Sequence, residues 1–534
     1  MRIPPRLSEQ TFAQVLREFE AVVGPSWVFA SEQDADLYRD AYSPFWNEEE
    51  QEIKPSAAVA PDGVEQVQEI VRIANRYRVP LYPVSTGRNL GYGGSAPVLD
   101  GSVVLDLKRM NRVLEIDADK AYVLVEPGVS YFDLYRYIQE RGLKLWIDCP
   151  DPGWGSLIGN ALEHGVGYTV TPYRDHFDAH CGMEVVLPTG DLVRTGMGAL
   201  PGARTWQQFK YGYGPMLDGM FSQSNYGIVT KMGFWLYPEP EALLTATVHV
   251  HKHDDVVPLM RTMARLMNSG QMNSSTVMSS AMLDSAWNDA ELYELFERRE
   301  RADVEKLDAI AAQGKLPFWS SLLQFYGPAK VVQAQLEHAK ELFASIPGAS
   351  FEDGVSLRFP LSPEQTEAVI DKQRIGVPSL AIFFVGARSE LNPVPAQGHF
   401  SLSPVIPMTG EAVVESQKVL MKAFRELDAK PMYMVFPQSF HPRSLVILCL
   451  FAVAADVETN RRVRRGFREL IKLAAAHGWG EYRTHTAFMD DCAAVYSFND
   501  HALRRLQETI KDALDPNGIL SAGRYGIWPK DWRN

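Results

Sequence analysis

The residues best suited to chemistry form one glycine-rich segment, residues 83–94, whose sequence is PVSTGRNLGYGG. Its four glycines and two small hydroxyl side chains follow a short apolar stretch and cannot continue as regular structure. Glycine lets backbone N–H groups turn toward a bound anion and lets the chain approach it closely. The spacing matches neither a Walker loop nor a GxGxxG fingerprint. The segment predicts a pyrophosphate cradle of another kind and leaves a second role open for Tyr92.

A second glycine-containing segment, residues 148–160, carries Asp148 and Asp151 in an otherwise apolar context. Its glycine, serine and asparagine residues offer donors that suit a nucleotide. Two aspartates are costly to bury unless they are paired. Nucleotide binding and a turn-rich loop with solvated acids are both compatible with this pattern.

Tyr482, Arg483 and His399 have more ordinary explanations when each is taken alone. Arg483 could bind a carboxylate or a phenolate together with Tyr482, because arginine is a permanent, fork-shaped donor. Adjacent residues of a strand point to opposite faces, however, so a surface pair is the simpler interpretation. A lone histidine such as His399 is usually structural or exposed.

Three histidines at alternate positions, His249, His251 and His253, would share one face of a strand and could in principle bind zinc. Lys252 and the polar residues that follow favour a solvated strand end instead. No metal site is therefore predicted.

Length and composition limit the class of protein. A chain of 534 residues is too long for a single core, so two or three domains are expected. The net charge of −13 argues against a nucleic-acid partner. Four scattered cysteines without CxxC spacing predict reduced thiols. The first residues lack a signal-peptide pattern, and the longest apolar run, 445–455, is too short to span a bilayer. A cytoplasmic protein without a membrane partner is expected.

Hydrophobic periodicity predicts an α+β protein whose character changes near Pro238. Before that point, helices are predicted over 11–23, over 64–74 and from Ser130 onward, where Ser130 and Asp133 form a weak capping box. Strands are predicted there over 81–84, 103–107, 113–116, 122–125, 183–187 and 192–195. After it, strands are predicted over 243–250, 432–436 and 445–451, and helices over 256–267, 329–343, 411–427 and 457–476, with a last helix ending at Leu514. This order indicates an antiparallel sheet covered on one face.

Several long segments, in this order along the chain, resemble the vanillyl-alcohol oxidase subfamily of FAD enzymes, which includes vanillyl-alcohol oxidase, eugenol oxidase and p-cresol methylhydroxylase. The matching segments are residues 83–97, 126–129 (EPGV), 165–169 (GVGYT), 195–202 (TGMGALPG) and 223–233 (QSNYGIVTKMG). The resemblance implies a two-domain fold of the vanillyl-alcohol oxidase type. Residues 1–240 and 479–534 would form the FAD-binding domain, and residues 241–478 an antiparallel-sheet cap domain.

The resemblance also implies how FAD is held. The residues that would line the cofactor are Val84, Ser85, Thr86, Gly87, Arg88, Asn89 and Leu90 at the pyrophosphate, and Pro150, Ser156, Asn160, Gly227, Ile228 and Val229 along the rest. Arg524 would lie near the flavin N1/O2 edge, where positive charge stabilises anionic reduced flavin. His399 matches the position that carries an 8α-histidyl bond to FAD in oxidases of this family. In p-cresol methylhydroxylase a tyrosine a little upstream carries the flavin, but residues 380–394 contain no tyrosine.

For catalysis, the resemblance implies a phenolate-binding trio of Tyr92, Tyr482 and Arg483. A para-substituted phenol bound as its phenolate would lose hydride from the benzylic carbon to flavin N5 and leave a p-quinone methide. Asp151 matches the family's carboxylate near N5, which would act as a base toward water or a benzylic hydroxyl. O2 would reoxidise the flavin and yield hydrogen peroxide, and a homo-oligomer is expected.

Two other functions stay open at this stage. The protein could be a dehydrogenase that passes electrons to a cytochrome. Because the chain has no CxxCH haem motif, that cytochrome would have to be a separate subunit. A flavin-binding protein without turnover is disfavoured because all four catalytic positions are occupied by the expected residues. The chain departs from the family at Pro152, where relatives commonly have leucine, and in segments 273–326 and 436–445. These departures leave the para-substituent undetermined.

Overall fold

The strand that leads into the glycine-rich segment belongs to a mixed sheet. The computed structural model describes residues 2–48, 51–169, 175–274, 277–381, 398–437 and 441–533. Within these ranges the sheet has four strands, in the order Val28–Phe29, Ala57–Val59, Val103–Asp106 and Leu81–Val84. The last three run parallel, and Leu81 lies opposite Val103.

Two amphipathic helices, Glu9–Val23 and Val64–Tyr77, pack on this sheet. Their buried residues, such as Phe12 and Ile70, form one apolar cluster with Leu81 and Val103. Burial of such a helix stripe is the main force that holds a helix on a sheet. The predicted strand 81–84 is confirmed, and the predicted helix 64–74 is confirmed and extends to Tyr77.

A second sheet is antiparallel and, in the described part of the chain, has five strands. Their order is Val113–Asp117, Tyr122–Val125, Ile228–Trp235, His180–Val186 and Leu192–Arg194. The predicted strands 183–187 and 192–195 correspond to His180–Val186 and Leu192–Arg194, which pair with each other at Val186 and Leu192. Helix Tyr131–Glu140 begins after Ser130, whose side chain and backbone exchange hydrogen bonds with Asp133 as the predicted capping box requires.

The third large sheet is antiparallel throughout its described strands, which number seven. Their order is Ser350–Arg358, Ala242–Val250, Trp319–Gly327, Val277–Ser279, Tyr433–Pro437, Leu448–Ala452 and His399–Leu402. The predicted antiparallel sheet is thereby confirmed. Two short strand pairs accompany the large sheets: Leu145–Trp146 with Tyr237–Pro238, and Val405–Pro407 with Ser444–Val446.

The predicted strand 445–451 is wrong in one respect, because it is two strands. Ser444–Val446 pairs with Val405–Pro407, whereas Leu448–Ala452 pairs within the seven-stranded sheet. Between them, the Ile447 amide donates to the Pro404 carbonyl at 3.0 Å. A continuous apolar run cannot show where a strand changes partners, since residues 445–447 before the change and 449–451 after it are all buried.

The predicted helices 256–267, 329–343, 411–427 and 457–476 are confirmed to within one residue at each end, as Val256–Asn268, Ala329–Phe343, Gly410–Glu426 and Val457–Ala476, and the last helix, Phe498–Leu514, ends where predicted. The other helices of the described ranges were not predicted: Glu32–Asp36, Leu157–Leu162, Ala281–Ala286, Ala290–Arg298, Arg301–Gly314, Pro363–Ala368 and Met489–Val495. Arg301–Gly314 buries only Asp303, Leu307 and Ala311, too few residues for a clear helical period.

The end of the chain returns to the first sheet. The Leu81 amide donates to the Ile519 carbonyl at 2.6 Å, and the Ser521 amide donates to the Leu81 carbonyl at 2.8 Å. Lys511 fastens this tail, since its ammonium group donates to the carbonyls of Asn225 at 2.8 Å and Leu520 at 2.6 Å. The same group is paired with the Asp515 carboxylate at 2.8 Å, and both side chains are fully buried.

Other features predicted from composition can be compared directly. Cys149, Cys181, Cys449 and Cys492 are all free thiols, in agreement with the predicted reduced state. In the described ranges no helix is both long and apolar enough to cross a membrane. No cluster of three or more His, Cys, Asp or Glu side chains among the described residues could hold a metal ion.

Replacing Lys511 with methionine should destabilise the protein strongly, because the Asp515 carboxylate would stay buried without its counter-charge. Breaking a buried pair in this way costs about 3–5 kcal/mol. Urea unfolding followed by tryptophan fluorescence measures the effect. Lys472→Met is the matched control, since its pair with Glu469 is exposed and such pairs contribute about 1 kcal/mol or less. Equal unfolding midpoints for the two variants would contradict the role given to Lys511.

Candidate active site

One cleft gathers most of the residues predicted from the sequence. The space within it is about 1270 Å³, and part of that space is open solvent. Pro150, Tyr482 and His399 are described but do not line it. The predicted residues that do line it are Val84, Ser85, Thr86, Gly87, Arg88, Asn89, Leu90, Tyr92, Asp151, Ser156, Asn160, Gly227, Ile228, Val229, Arg483 and Arg524.

The glycine loop forms one wall of the cleft and folds back on itself. The amides of Tyr92 and Gly94 both donate to the Asn89 carbonyl at 3.1 Å. Gly87 has φ +67°, and a Cβ there would lie 2.0 Å from the Ser95 hydroxyl oxygen. A side chain at this position would be strained by the positive φ and would displace the Ser95 hydroxyl, so both features favour glycine.

Helix Leu157–Leu162 closes the cleft against this loop. A Cβ at Gly159 would lie 2.5 Å from the Ser85 hydroxyl oxygen. Ser156 caps the helix, since its hydroxyl accepts from the Gly159 amide at 3.1 Å and donates to the Pro127 carbonyl at 2.6 Å. Gly87 and Gly159, which carry no side chains, thus both line the cleft, an arrangement that fits an extended cofactor containing a pyrophosphate.

Arg483 and Tyr92 face each other on the cleft wall. The guanidinium carbon lies 4.0 Å from the centroid of the Tyr92 ring and 5.2 Å from that of Tyr482, within the range of cation–π contacts. Burial alone lowers the pKa of Arg483, but the neighbouring tyrosines and Glu163 outweigh burial and raise it. Arg483 Nε is buried and has no acceptor among the described residues. A buried cationic donor without an acceptor suits an anionic ligand.

Tyr482 points away from the cleft in this structure. Its hydroxyl donates to the His164 carbonyl, and burial raises its pKa. Its backbone is held from both sides, because its amide donates to the Ser403 carbonyl at 2.9 Å and its carbonyl accepts from Gln223 Nε2 at 3.2 Å. A ligand that took a hydrogen bond from Tyr482 would have to replace His164 as its acceptor.

Asp151 is half-buried in the cleft wall. Burial raises its pKa, and hydrogen bonds from Gln373 and Tyr168 offset part of that rise. The Gln373 amide donates to Asp151 Oδ1 at 2.6 Å. A carboxylate with a raised pKa is a stronger base than an exposed one, so this environment suits proton transfer.

The other aspartate of this segment, Asp148, is paired, as its burial requires. It accepts from the amide and hydroxyl of Thr169, each at 2.8 Å, and lies 3.1 Å from His176 Nε2. The alternative of a loop with solvated acids is therefore wrong for Asp148.

Arg524 lines the cleft beside a carboxylate that the sequence did not single out. Its guanidinium donates to Glu163 Oε1 and to the Tyr82 hydroxyl, and Glu163 Oε2 accepts from the Tyr525 hydroxyl. Burial by itself lowers the pKa of Arg524, but Glu163 and Tyr82 more than compensate and raise it. The predicted cation is thus present at the cleft, held by an ion pair.

His399 lies next to the glycine loop and outside the cleft lining. A Cβ at Gly91, whose φ is +79°, would come within 3.2 Å of the His399 ring. The ring of Tyr42 packs edge-on against it, with centroids 5.2 Å apart. Most of segment 380–394, whose lack of tyrosine favoured His399 as the point of attachment, lies outside the described residues.

Several residues of the site were missed by sequence reasoning. Tyr82, Glu163, Gln223 and Asn225 line the cleft, and Gln373 reaches Asp151 from outside it. Glu163 and Gln373 act on partners 361 and 222 positions away, so no local spacing could reveal them. The one sequence feature that could have indicated Glu163 as a site residue is its position just before the matched segment 165–169.

Glu481 is a further residue that sequence reasoning missed. It accepts from the Ser403 amide at 2.5 Å and so joins strand His399–Leu402 to the Tyr482–Arg483 segment. Burial raises the pKa of Glu481 to about 8.

Comparison with known proteins identifies relatives over the whole chain. Residues 55–196 match the FAD binding domain model, and residues 433–525 match the model of the C-terminal domain of FAD linked oxidases. The chain is 32% identical over 532 residues to the 4-cresol dehydrogenase [hydroxylating] flavoprotein subunit of Pseudomonas putida, covering 98% of this chain and 97% of that protein.

Two solved structures are similar along their full length. The 4-ethylphenol oxidase from Gulosibacter chungangensis, solved as an isoeugenol complex, superposes with a TM-score of 0.82 and 34% identity, covering 99% of this chain and 100% of that one. p-Cresol methylhydroxylase with substrate bound gives a TM-score of 0.83 and 31% identity, covering 99% of each chain.

Replacing Gln373 with leucine should raise the pKa of Asp151 further, because the amide favours the ionised carboxylate. A hydrogen bond to a charged group contributes about 1.5–3 kcal/mol, or roughly one to two pH units. Infrared difference spectra over a pH series, with Asp151→Asn as the blank, follow the carboxyl stretch. Gln333→Leu is the control, since Gln333 is exposed and bonds only Glu337. An unchanged midpoint in Gln373→Leu would show that Gln373 does not tune Asp151.

Proposed function

Because the chain belongs to the family of FAD-linked phenol-oxidising enzymes that contains p-cresol methylhydroxylase and 4-ethylphenol oxidase, we propose that it oxidises para-substituted phenols at the benzylic carbon. The observation that carries this proposal is the buried Arg483 guanidinium against Tyr92, with Nε lacking an acceptor among the described residues. Its substrates would be 4-alkylphenols, 4-allylphenols or 4-hydroxybenzylic alcohols.

The proposed role of Arg483 is to bind the substrate as a phenolate. A free phenol has a pKa near 10 and is neutral at pH 7, while ionisation pushes charge toward the benzylic C–H bond. Lowering that pKa by about 3 units takes roughly 4 kcal/mol of preferential anion binding. A buried arginine and hydroxyl donors from Tyr92 and Tyr482 can supply this amount. Tyr482 contributes its donor once its hydroxyl leaves the His164 carbonyl.

Asp151 is the proposed base. Its carboxylate would accept the proton of a benzylic hydroxyl, or of a water that adds to the oxidised p-quinone methide. Gln373 and Tyr168 hold the carboxylate in place, and its partial burial strengthens it as a base. The two ends of the reaction then use oppositely charged groups, a cation at the phenol oxygen and a carboxylate at the benzylic carbon.

The residues around the cleft fit FAD, and the proposal assigns the pyrophosphate to the loop from Val84 to Leu90. The remaining contacts are assigned to Ser156, Asn160 and residues 227–229, with Pro150 nearby. Bound FAD supplies the hydride acceptor. His399 is proposed as the residue that carries FAD covalently, since its ring adjoins this loop at Gly91.

O2 is the proposed electron acceptor, with hydrogen peroxide as its product. A relative of the same family is named an oxidase, which supports this choice. The second candidate is transfer to a cytochrome, favoured by the Pseudomonas putida relative, which is named a dehydrogenase and a flavoprotein subunit. This chain has no CxxCH motif, so that function would need a separate haem subunit.

A phenol should reduce the flavin, whereas its methyl ether should not. Under anaerobic conditions 4-ethylphenol should bleach the flavin absorbance, while 4-ethylanisole should not, because the ether cannot ionise. Arg483→Met should slow bleaching by about 10²–10³-fold, as expected when roughly 3–4 kcal/mol of anion stabilisation is lost. Stopped-flow absorbance measures both rates. The control is Arg504→Met, which removes a half-buried ion pair with Glu508 on helix Phe498–Leu514.

The outcomes of this experiment separate the candidate functions. Restoration of the yellow colour by air with release of peroxide supports the oxidase. Bleaching that air does not reverse favours the cytochrome-linked dehydrogenase. Bleaching by the ether at the rate of the phenol would overturn the phenolate mechanism, and no bleaching across a panel of phenols would leave a flavin-binding protein without turnover.

His399→Ala should release the flavin on acid precipitation. In the unaltered protein the proposed bond keeps the yellow colour in the pellet, whereas in the variant it should appear in the supernatant. His338→Ala, a change of a half-exposed histidine on helix Ala329–Phe343, should leave the flavin in the pellet. A colourless pellet from the unaltered protein would contradict the proposed covalent bond between His399 and FAD.

A further inference from the structure

The cleft wall contains a compact group of charges around Glu163. Its carboxylate receives hydrogen bonds from the Arg524 guanidinium and the Tyr525 hydroxyl, and Arg524 also donates to the Tyr82 hydroxyl. The side chains of Glu163 and Arg524 are only 13% and 17% exposed. A pair shielded to this degree interacts through a low effective dielectric and is poorly screened by salt.

The same turn of the chain also reaches the second arginine of the cleft. The carbonyl of Glu163 accepts from Arg483 Nη1 at 3.4 Å, and the carbonyl of His164 accepts from the Tyr482 hydroxyl. Glu163 therefore uses its carboxylate for Arg524 and its backbone for Arg483. Changing only the charge of its side chain leaves the backbone contacts available.

The Glu163 carboxylate is one of few charged groups that line the cleft. Among the described lining residues, Arg88, Arg483 and Arg524 are the cations, and Asp151 and Glu163 are the carboxylates. Asp151 is bonded to Gln373, whereas Glu163 is bonded directly to Arg524. The positive charge that Arg524 presents to a ligand in the cleft is thus reduced by a fixed neighbouring anion.

We propose that Glu163 is the counter-charge of Arg524 and limits how strongly the cleft stabilises negative charge on bound FAD. Reduction of a flavin places negative charge on the ring, and a nearby cation favours that state. Glu163 opposes this effect and so lowers the reduction potential of the flavin. Glu163 is a positioning residue. The inference rests on the proposed FAD site and on the position near the flavin N1/O2 edge that the family resemblance implies for Arg524.

The test measures the midpoint potential of the flavin in the holoprotein by equilibration with reference dyes. Glu163→Gln keeps an amide oxygen as the acceptor for Arg524 and offers an amide N–H to the Tyr525 hydroxyl oxygen, but it removes the charge, so the potential should rise. The expected change is at least tenfold in the ratio of reduced to oxidised flavin, or about 30 mV for a two-electron couple. Glu163→Asp and Tyr525→Phe keep the charge and should leave this ratio within about threefold.

Arg524→Gln provides the reciprocal measurement and should lower the potential. A fall in Arg524→Gln without a rise in Glu163→Gln would overturn the role of Glu163 and leave the proposed function intact. An unchanged potential in Arg524→Gln would place Arg524 away from the flavin and overturn the inference together with that assignment. Phenol-dependent bleaching tests the proposed function separately. If one of these two variants fails to retain flavin, the direction of the potential change in the other still tests the inference.

Discussion

The buried ammonium group of Lys511 fixes the relation between the two ends of the chain. It holds the carbonyl of Leu520 in the tail and that of Asn225 before strand Ile228–Trp235, and Asp515 compensates its charge. Asn225 in turn donates to the carbonyls of Ser521 and Ile527. These bonds bring the tail to the edge strand Leu81–Val84 and place Arg524 on the same cleft as the glycine loop. Without this closure the cleft would lack one of its walls.

Burial of charge then governs the chemistry available in the cleft. Each buried ion needs a partner, since an isolated charge in a dry interior is very costly. Arg524 has Glu163, and Asp151 has Gln373 and Tyr168. Arg483 keeps Nε without an acceptor in the described structure, and the proposed phenolate would supply one. Arg483 thus differs from Arg524, whose charge is paired within the fold.

The seven-stranded sheet contributes through its last strand. His399–Leu402 continues into Ser403, whose amide and carbonyl bond to Glu481 and to the Tyr482 amide. The residue proposed to carry the flavin and the segment proposed to bind the phenol are therefore joined by a short stretch of backbone. Under the proposed assignments, this link would hold the cofactor and the substrate at a fixed distance from each other.

The sequence by itself determined the features that depend on neighbouring residues. The glycine loop, strand Leu81–Val84, the capping box at Ser130 and helices such as Ala329–Phe343 follow from local conformational preference and hydrophobic period. Most of the predicted site residues also lie on one cleft. Tertiary structure decided which charges are paired and where hydroxyls point. Glu163 meets Arg524 across 361 positions, and the Tyr482 hydroxyl takes the His164 carbonyl across 318. Such contacts depend on how separate elements pack together, and residue spacing along the chain carries no record of that packing.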